Sequence, residues 1–93
     1  MTNKEILKKK IIYRSTHRGS KEMDILLGNF VKNHIDSLND KELYNLLEIL
    51  LIEDEVLNRW YFAGVNNTEI PDNKISAMLK QFKRQKNKYE FIK

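Results

Sequence analysis

The segment SKEMDILLGNFVKNH, residues 20–34, carries the clearest structural pattern in this sequence. Apolar residues recur there at helical spacing and form one continuous stripe along a helix. His34 lies at the edge of that stripe, where we expect a histidine at the border of the core. The pattern predicts an amphipathic helix whose core-facing side consists of Met23, Leu26, Leu27, Phe30 and Val31.

Four further helices are predicted around this segment. The first spans about Asn3 to Arg14, the third opens at Ser37–Asp40, and the fourth starts after Glu53 and Asp54 and stops at Gly64. Pro71 is predicted at the entrance of the fifth, where a missing N–H costs little. Strand-like alternation is nearly absent, so the predicted fold class is all-α, a compact bundle of about five short helices in a single domain. Its other predicted core positions are Leu43, Leu46, Leu47, Leu50, Val56, Leu57, Trp60, Tyr61, Ile75, Met78, Leu79 and Phe82. We expect Trp60 to belong to the core and Phe62, or part of Tyr61, to be exposed.

Length and composition limit the chain to a single domain. The chain has 93 residues, of which 41% are hydrophobic, which suits one modest core. We expect residues 1–82 to form this domain and residues 83–93 to form a basic tail that is frayed or disordered. No stretch is apolar enough for a signal peptide or a membrane span, so we expect a bacterial cytoplasmic protein without membrane insertion.

The charges are unevenly distributed along the chain. The net charge is +4, and residues 1–22 hold seven Lys or Arg against two acidic residues. Residues 80–93 hold six against one, whereas residues 36–55 hold seven acidic residues and one Lys. Such asymmetry leaves a small nucleic-acid-binding module as an alternative function.

The sequence offers little for chemistry. It contains no cysteine, which excludes disulfides, thiolate metal sites and thiol nucleophiles. His17 and His34 do not show metal-ligand spacing, and no group is placed to orient His17 as a catalytic base. The three glycines are too widely separated for a phosphate-binding loop. We therefore expect no catalytic residues, no metal and no stably bound cofactor.

The most informative motif is RGSKE, residues 18–22. If the second helix includes Arg18, its side chain shares a face with that of Glu22, four residues later. The pair then forms either a simple surface ion pair beside a glycine turn, or a donor and an acceptor offered to a partner whose backbone approaches Gly19. The spacing alone does not decide between these interpretations.

The motif and its surroundings resemble the succinate dehydrogenase assembly factors known as SdhE in bacteria, which have mitochondrial relatives. The resemblance covers about residues 8–82 and includes the segments 11–15, 17–24, 26–30, 38–40 and 56–60. It implies a five-helix, non-enzymatic chaperone that binds the flavoprotein subunit of succinate dehydrogenase, or that of fumarate reductase, and promotes covalent attachment of FAD to that subunit.

By this resemblance, Arg18, Gly19 and Glu22 form the partner-binding surface near the partner's FAD site, and Asp24 belongs to the same signature. We expect the fold to survive the loss of either the Arg18 or the Glu22 side chain.

Overall fold

The computed structural model describes the backbone of residues 2–90 and the side chains of residues 2–82. Within residues 2–90 no strand occurs, which confirms the all-α prediction. A short 3-10 turn that the sequence did not predict joins the second and third helices at Ile35–Ser37. The five helices are α1 (Asn3–Thr16), α2 (Lys21–His34), α3 (Asp40–Leu50), α4 (Asp54–Tyr61) and α5 (Lys74–Glu90).

Side chains just before the helices satisfy the free N–H groups of the first turns. Ser20 accepts a hydrogen bond from the Met23 amide and so starts α2 at Lys21. Asn39 and Glu42 form a reciprocal capping box at α3. The helix α4 differs, because Glu53 at its N-cap makes no capping hydrogen bond through its side chain.

Two predicted helix boundaries are wrong. The helix α1 continues through Thr16, because the hydroxyls of Ser15 and Thr16 donate to the Ile12 carbonyl within the helix instead of interrupting it. Pro71 precedes the first residue of α5 by three positions. There Asn73 and Ser76 exchange hydrogen bonds and set the helix start.

The end of α4 agrees with its predicted glycine stop. The helix ends at Tyr61, and Gly64 then takes a φ of 70°, in the left-handed region that glycine favours. The chain reverses there toward the loop before α5.

The apolar stripe of α2 lies at the centre of the core, as predicted, and all five of its members are buried. In α3 the core-facing side includes Ile49, whereas Leu47 packs only partly buried against the cluster. Val56 and Met78 are likewise only partly buried, so both side chains are more exposed than predicted. Trp60 is buried and Phe62 is 41% exposed, which confirms the predicted arrangement of the aromatic residues.

His34 packs at the border of this core. Its ring centroid lies 4.7 Å from that of Phe30 and 6.0 Å from that of Phe82, and its side chain is half-buried. The predicted position at the core edge is therefore confirmed.

No helix of residues 2–90 combines the length and the apolarity that crossing a membrane requires. The prediction that residues 83–93 form a frayed or disordered tail stays a prediction, because the side chains of residues 83–90 and all of residues 91–93 lie outside the described part.

Burial raises the pKa of Tyr61 to about 12. Between pH 10 and pH 12 the unfolded chain loses the phenolic proton while the folded chain keeps it, so this group makes the folded state less stable as the pH rises. We expect Tyr61→Phe to flatten the fall in the urea midpoint between pH 10 and pH 11.5. Tyr44→Phe, at an exposed tyrosine, is the matched control. Equal slopes for the wild type and Tyr61→Phe would contradict this assignment.

Candidate functional site

Arg18 lies in the α1–α2 loop, residues 17–20, and its side chain is only 8% exposed. Its Nε donates to Asp54 Oδ1 at 2.8 Å, and its Nη2 lies 2.7 Å from the same oxygen. Nη2 also donates to the Ile52 carbonyl at 2.8 Å, and Nη1 donates to the carbonyls of Leu50 and Arg14. We call these contacts the Arg18 network.

The Arg18 network engages all three nitrogens of the guanidinium. It contains four hydrogen bonds and an ion-pair contact between Nη2 and Asp54 Oδ1, whereas a guanidinium has five N–H donors. The side chain therefore joins the end of α1, the end of α3 and the start of α4, and it is engaged within the fold.

The surface ion pair of Arg18 with Glu22, one of the two interpretations that the spacing left open, does not form, because Ser20 starts α2 after Arg18 and the guanidinium points to Asp54. An ion pair of two largely buried groups differs from the surface pair considered from the sequence, which would contribute about 0–1 kcal/mol. The expectation that the fold survives the loss of the Arg18 side chain conflicts with this burial.

Two carboxylates fix the backbone of the α1–α2 loop. Asp54 Oδ2 accepts from the Ser20 amide at 3.0 Å, and Asp24 Oδ1 accepts from the Arg18 amide at 2.7 Å. Asp54 is also the first residue of α4, where a negative charge interacts favourably with the helix dipole. Asp54 thus connects the loop to α4 through two contacts, one with the Arg18 side chain and one with the Ser20 amide.

Gly19, Lys21 and Glu22 are the members of the motif that face solvent, and Gly19 and Glu22 are the two of them that the resemblance assigns to partner binding. Gly19 does not occupy the left-handed region, so its backbone conformation does not require glycine. A Cβ at this position would lie 3.4 Å from Asp54 Oδ2. The loop therefore presents the exposed backbone of Gly19 and the exposed Glu22 side chain next to the Arg18 network.

Leu51 adds an apolar element that the sequence analysis missed. Its side chain is 56% exposed, and the carbonyls on either side of it, those of Leu50 and Ile52, both accept hydrogen bonds from Arg18. Leu51 is therefore separated from the α1–α2 loop by no more than the length of the Arg18 side chain. Helical periodicity relates only residues within a few turns, so it could not predict that Leu51 lies near the loop.

His17 interacts with its own helix. Its ring stacks on that of Tyr13 at 3.9 Å between centroids, and its Nδ1 lies 2.8 Å from the Tyr13 carbonyl oxygen. The hydroxyl of Ser15 donates instead to the Ile12 carbonyl. Among the described residues no group of three His, Asp or Glu side chains is arranged to hold a metal ion.

The Arg18 network leads to a prediction about stability. Arg18→Ala removes the donor of Asp54 Oδ1 and of three carbonyl groups, and removing one partner of a buried pair typically costs about 3–5 kcal/mol. Glu22→Ala removes an exposed side chain, so its expected effect is within about 0.5 kcal/mol. Urea unfolding followed by circular dichroism measures both.

Arg14→Ala is the matched control, because Arg14 is an exposed arginine one turn earlier in the chain. It should leave the free energy of unfolding nearly unchanged. If Arg18→Ala were as mild as Arg14→Ala, the network would not contribute to the stability of the fold.

The chain is similar in sequence to proteins from bacteria and from mitochondria. Two bacterial relatives are described as FAD assembly factor SdhE. That of Wigglesworthia glossinidia brevipalpis is 34% identical over 80 residues, which cover 86% of this chain and 92% of the relative. That of Acetobacter pasteurianus is 32% identical over 74 residues, which cover 80% of this chain and 65% of the relative.

A mitochondrial relative from Meyerozyma guilliermondii is described as succinate dehydrogenase assembly factor 2. It is 34% identical over 82 residues, which cover 87% of this chain and 61% of the relative. The chain thus spans less than two thirds of the Acetobacter and Meyerozyma proteins. No solved structure matches the chain significantly.

A family model described as flavinator of succinate dehydrogenase matches residues 9–85. These residues include α2, the α1–α2 loop and every acceptor of the Arg18 network. The chain therefore belongs to the family of succinate dehydrogenase flavinators.

Proposed function

We propose that this protein is a non-catalytic assembly factor that binds the flavoprotein subunit of succinate dehydrogenase and promotes covalent attachment of FAD to that subunit. Membership of the flavinator family supports this function. The observation that carries the proposal for the site is the exposure of Gly19 and Glu22 on a loop fixed from beneath by the Arg18 network. The nucleic-acid alternative receives no support from the descriptions of the relatives.

The two exposed residues suit contact with a folded protein. The Glu22 carboxylate accepts hydrogen bonds from a cationic side chain or from backbone N–H groups of the partner, and such charge-assisted bonds are strong. Gly19 lets the partner's backbone approach without meeting a side chain. Leu51 supplies an apolar contact on the same part of the surface.

Arg18 and Asp24 take supporting roles in this proposal. Their hydrogen bonds hold the α1–α2 loop in one conformation before the partner arrives. A preorganised loop loses less conformational entropy on binding, so more of the contact free energy appears as affinity. The motif thus contributes two residues that contact the partner, Gly19 and Glu22, whereas Arg18 and the nearby Asp24 shape the contact surface.

Docking would promote the reaction by positioning. In this account the bound assembly factor holds the flavoprotein subunit so that the subunit's own histidine and the flavin 8α-methyl group lie close together. Orientation of this kind can account for a large part of a barrier. This chain then supplies no acid, base or nucleophile and binds no cofactor stably. The flavoprotein subunit of fumarate reductase is a second proposed partner of the same surface.

The test is a comparison of covalent flavin in the flavoprotein subunit produced with and without this protein. We expect flavin fluorescence on a denaturing gel to rise with the wild type and to fall severalfold from that level with Glu22→Gln, which keeps the side-chain shape and removes the charge.

Glu69→Gln is the matched control, because Glu69 is exposed in the loop before α5, away from the motif. It should support flavin attachment as the wild type does. Equal flavin fluorescence with Glu22→Gln and the wild type would contradict the proposed role of Glu22, and equal fluorescence with and without the wild-type protein would contradict the function itself.

A further inference from the structure

A groove with a volume of about 430 Å³ runs between α1 and α2, and we call it the α1–α2 groove. Its lining is mostly apolar, although two lysines stand at its edge. Ile12, one of the apolar members, is 47% exposed, so an isoleucine side chain faces an open cavity. The residues that shape the groove are Ile12, Gly28, Val31, Ile35, Lys8 and Lys32.

Gly28 in the groove lining is not required by the packing of the two helices. A Cβ built on Gly28 would lie 3.5 Å from Thr16 Cγ2, which is an ordinary van der Waals distance. Alanine therefore fits, and glycine in the interior of a helix is less favourable than alanine. The absence of a side chain at Gly28 makes the groove deeper, but it does not stabilise the fold.

Lys32 gives the groove an uncompensated positive charge. Lys8 pairs with Asp36 at 3.1 Å, so the charge of this other lysine is balanced. Lys32 makes no ion pair with any side chain of residues 2–82. The free cation beside apolar walls complements an apolar side chain with a carboxylate next to it.

The α1–α2 groove is continuous with the proposed partner-binding loop. Thr16 lines the groove, and its hydroxyl lies 3.2 Å from Nδ1 of His17, the first residue of that loop. Along α2, Gly28 follows Glu22 by six residues, a helix rise of about 9 Å and a rotation of about 240°. One partner segment therefore contacts Glu22 and the groove together if it wraps partly around α2.

We propose that the α1–α2 groove binds an apolar side chain of the flavoprotein subunit, carried on a segment whose neighbouring carboxylate pairs with Lys32. This inference rests on the proposed function and adds a second anchor to it. The partner segment lies along α1 and α2, and its apolar side chain enters the space above Gly28.

The test measures the dissociation constant of the full-length chain for the purified flavoprotein subunit by titration calorimetry. Gly28→Leu fills the groove with the chain's own side chain and should weaken binding tenfold or more. Asn33→Leu is the matched control, because Asn33 is exposed on α2 outside the groove lining, and it should bind as the wild type does. Gly28→Ala, the smaller change, should raise the urea midpoint and still weaken binding severalfold.

The charge is tested separately. Lys32→Glu should weaken binding about tenfold and reduce its dependence on salt, whereas Lys41→Glu, at an exposed lysine of α3, changes the net charge equally and should have little effect. This pair of variants keeps the test decisive if Gly28→Leu does not fold.

The outcomes separate this inference from the proposed function. If Glu22→Gln weakens binding while the Gly28 and Lys32 variants bind as the wild type does, the groove proposal is wrong and the function stands. If the wild type does not bind the flavoprotein subunit, the proposed function fails and the groove proposal fails with it. If Gly28→Leu only dissociates a homodimer, the groove holds a second copy of this chain and the proposal is overturned.

Discussion

The buried guanidinium of Arg18 connects parts of the fold that no helix connects. Its acceptors lie at the end of α1, at the end of α3, in the turn that follows, and on the first residue of α4. Short helices are marginal alone and depend on their contacts with one another. Asp54 completes the arrangement, because it balances the charge of Arg18 and holds the amide of Ser20, which caps α2. One ion pair thus links the ends of four helices near the loop.

Under the proposed function, the RGSKE motif and the nearby Asp24 serve both stability and recognition. Arg18 and Asp24 face the fold, whereas Gly19 and Glu22 face solvent. A substitution at Arg18 or Asp24 alters the conformation of the loop. A substitution at Gly19 or Glu22 alters only the surface that the loop presents to a partner. Loss of function at Arg18 and at Glu22 would therefore have different physical causes, although both residues belong to one signature.

The sequence predicted the features that depend on local order. The stripe of α2 and the burial of Trp60 beside an exposed Phe62 follow from helical periodicity, which relates residues within a few turns. The partner of Arg18 was missed because Asp54 lies 36 residues away, whereas helical spacing relates Arg18 only to nearby residues such as Glu22. Similarly, Ile49 faces the core in place of Leu47 because neighbouring helices set the rotation of α3. The resemblance to assembly factors identified the motif, and the fold assigned its residues to different sides.

The most direct test of this account is a structure of the chain bound to the flavoprotein subunit. The account predicts that Arg18 keeps its hydrogen bonds to Asp54 and to the carbonyls beside Leu51, with the partner in contact with Gly19 and Glu22. An Arg18 side chain that leaves Asp54 and pairs with a carboxylate of the flavoprotein subunit would contradict it.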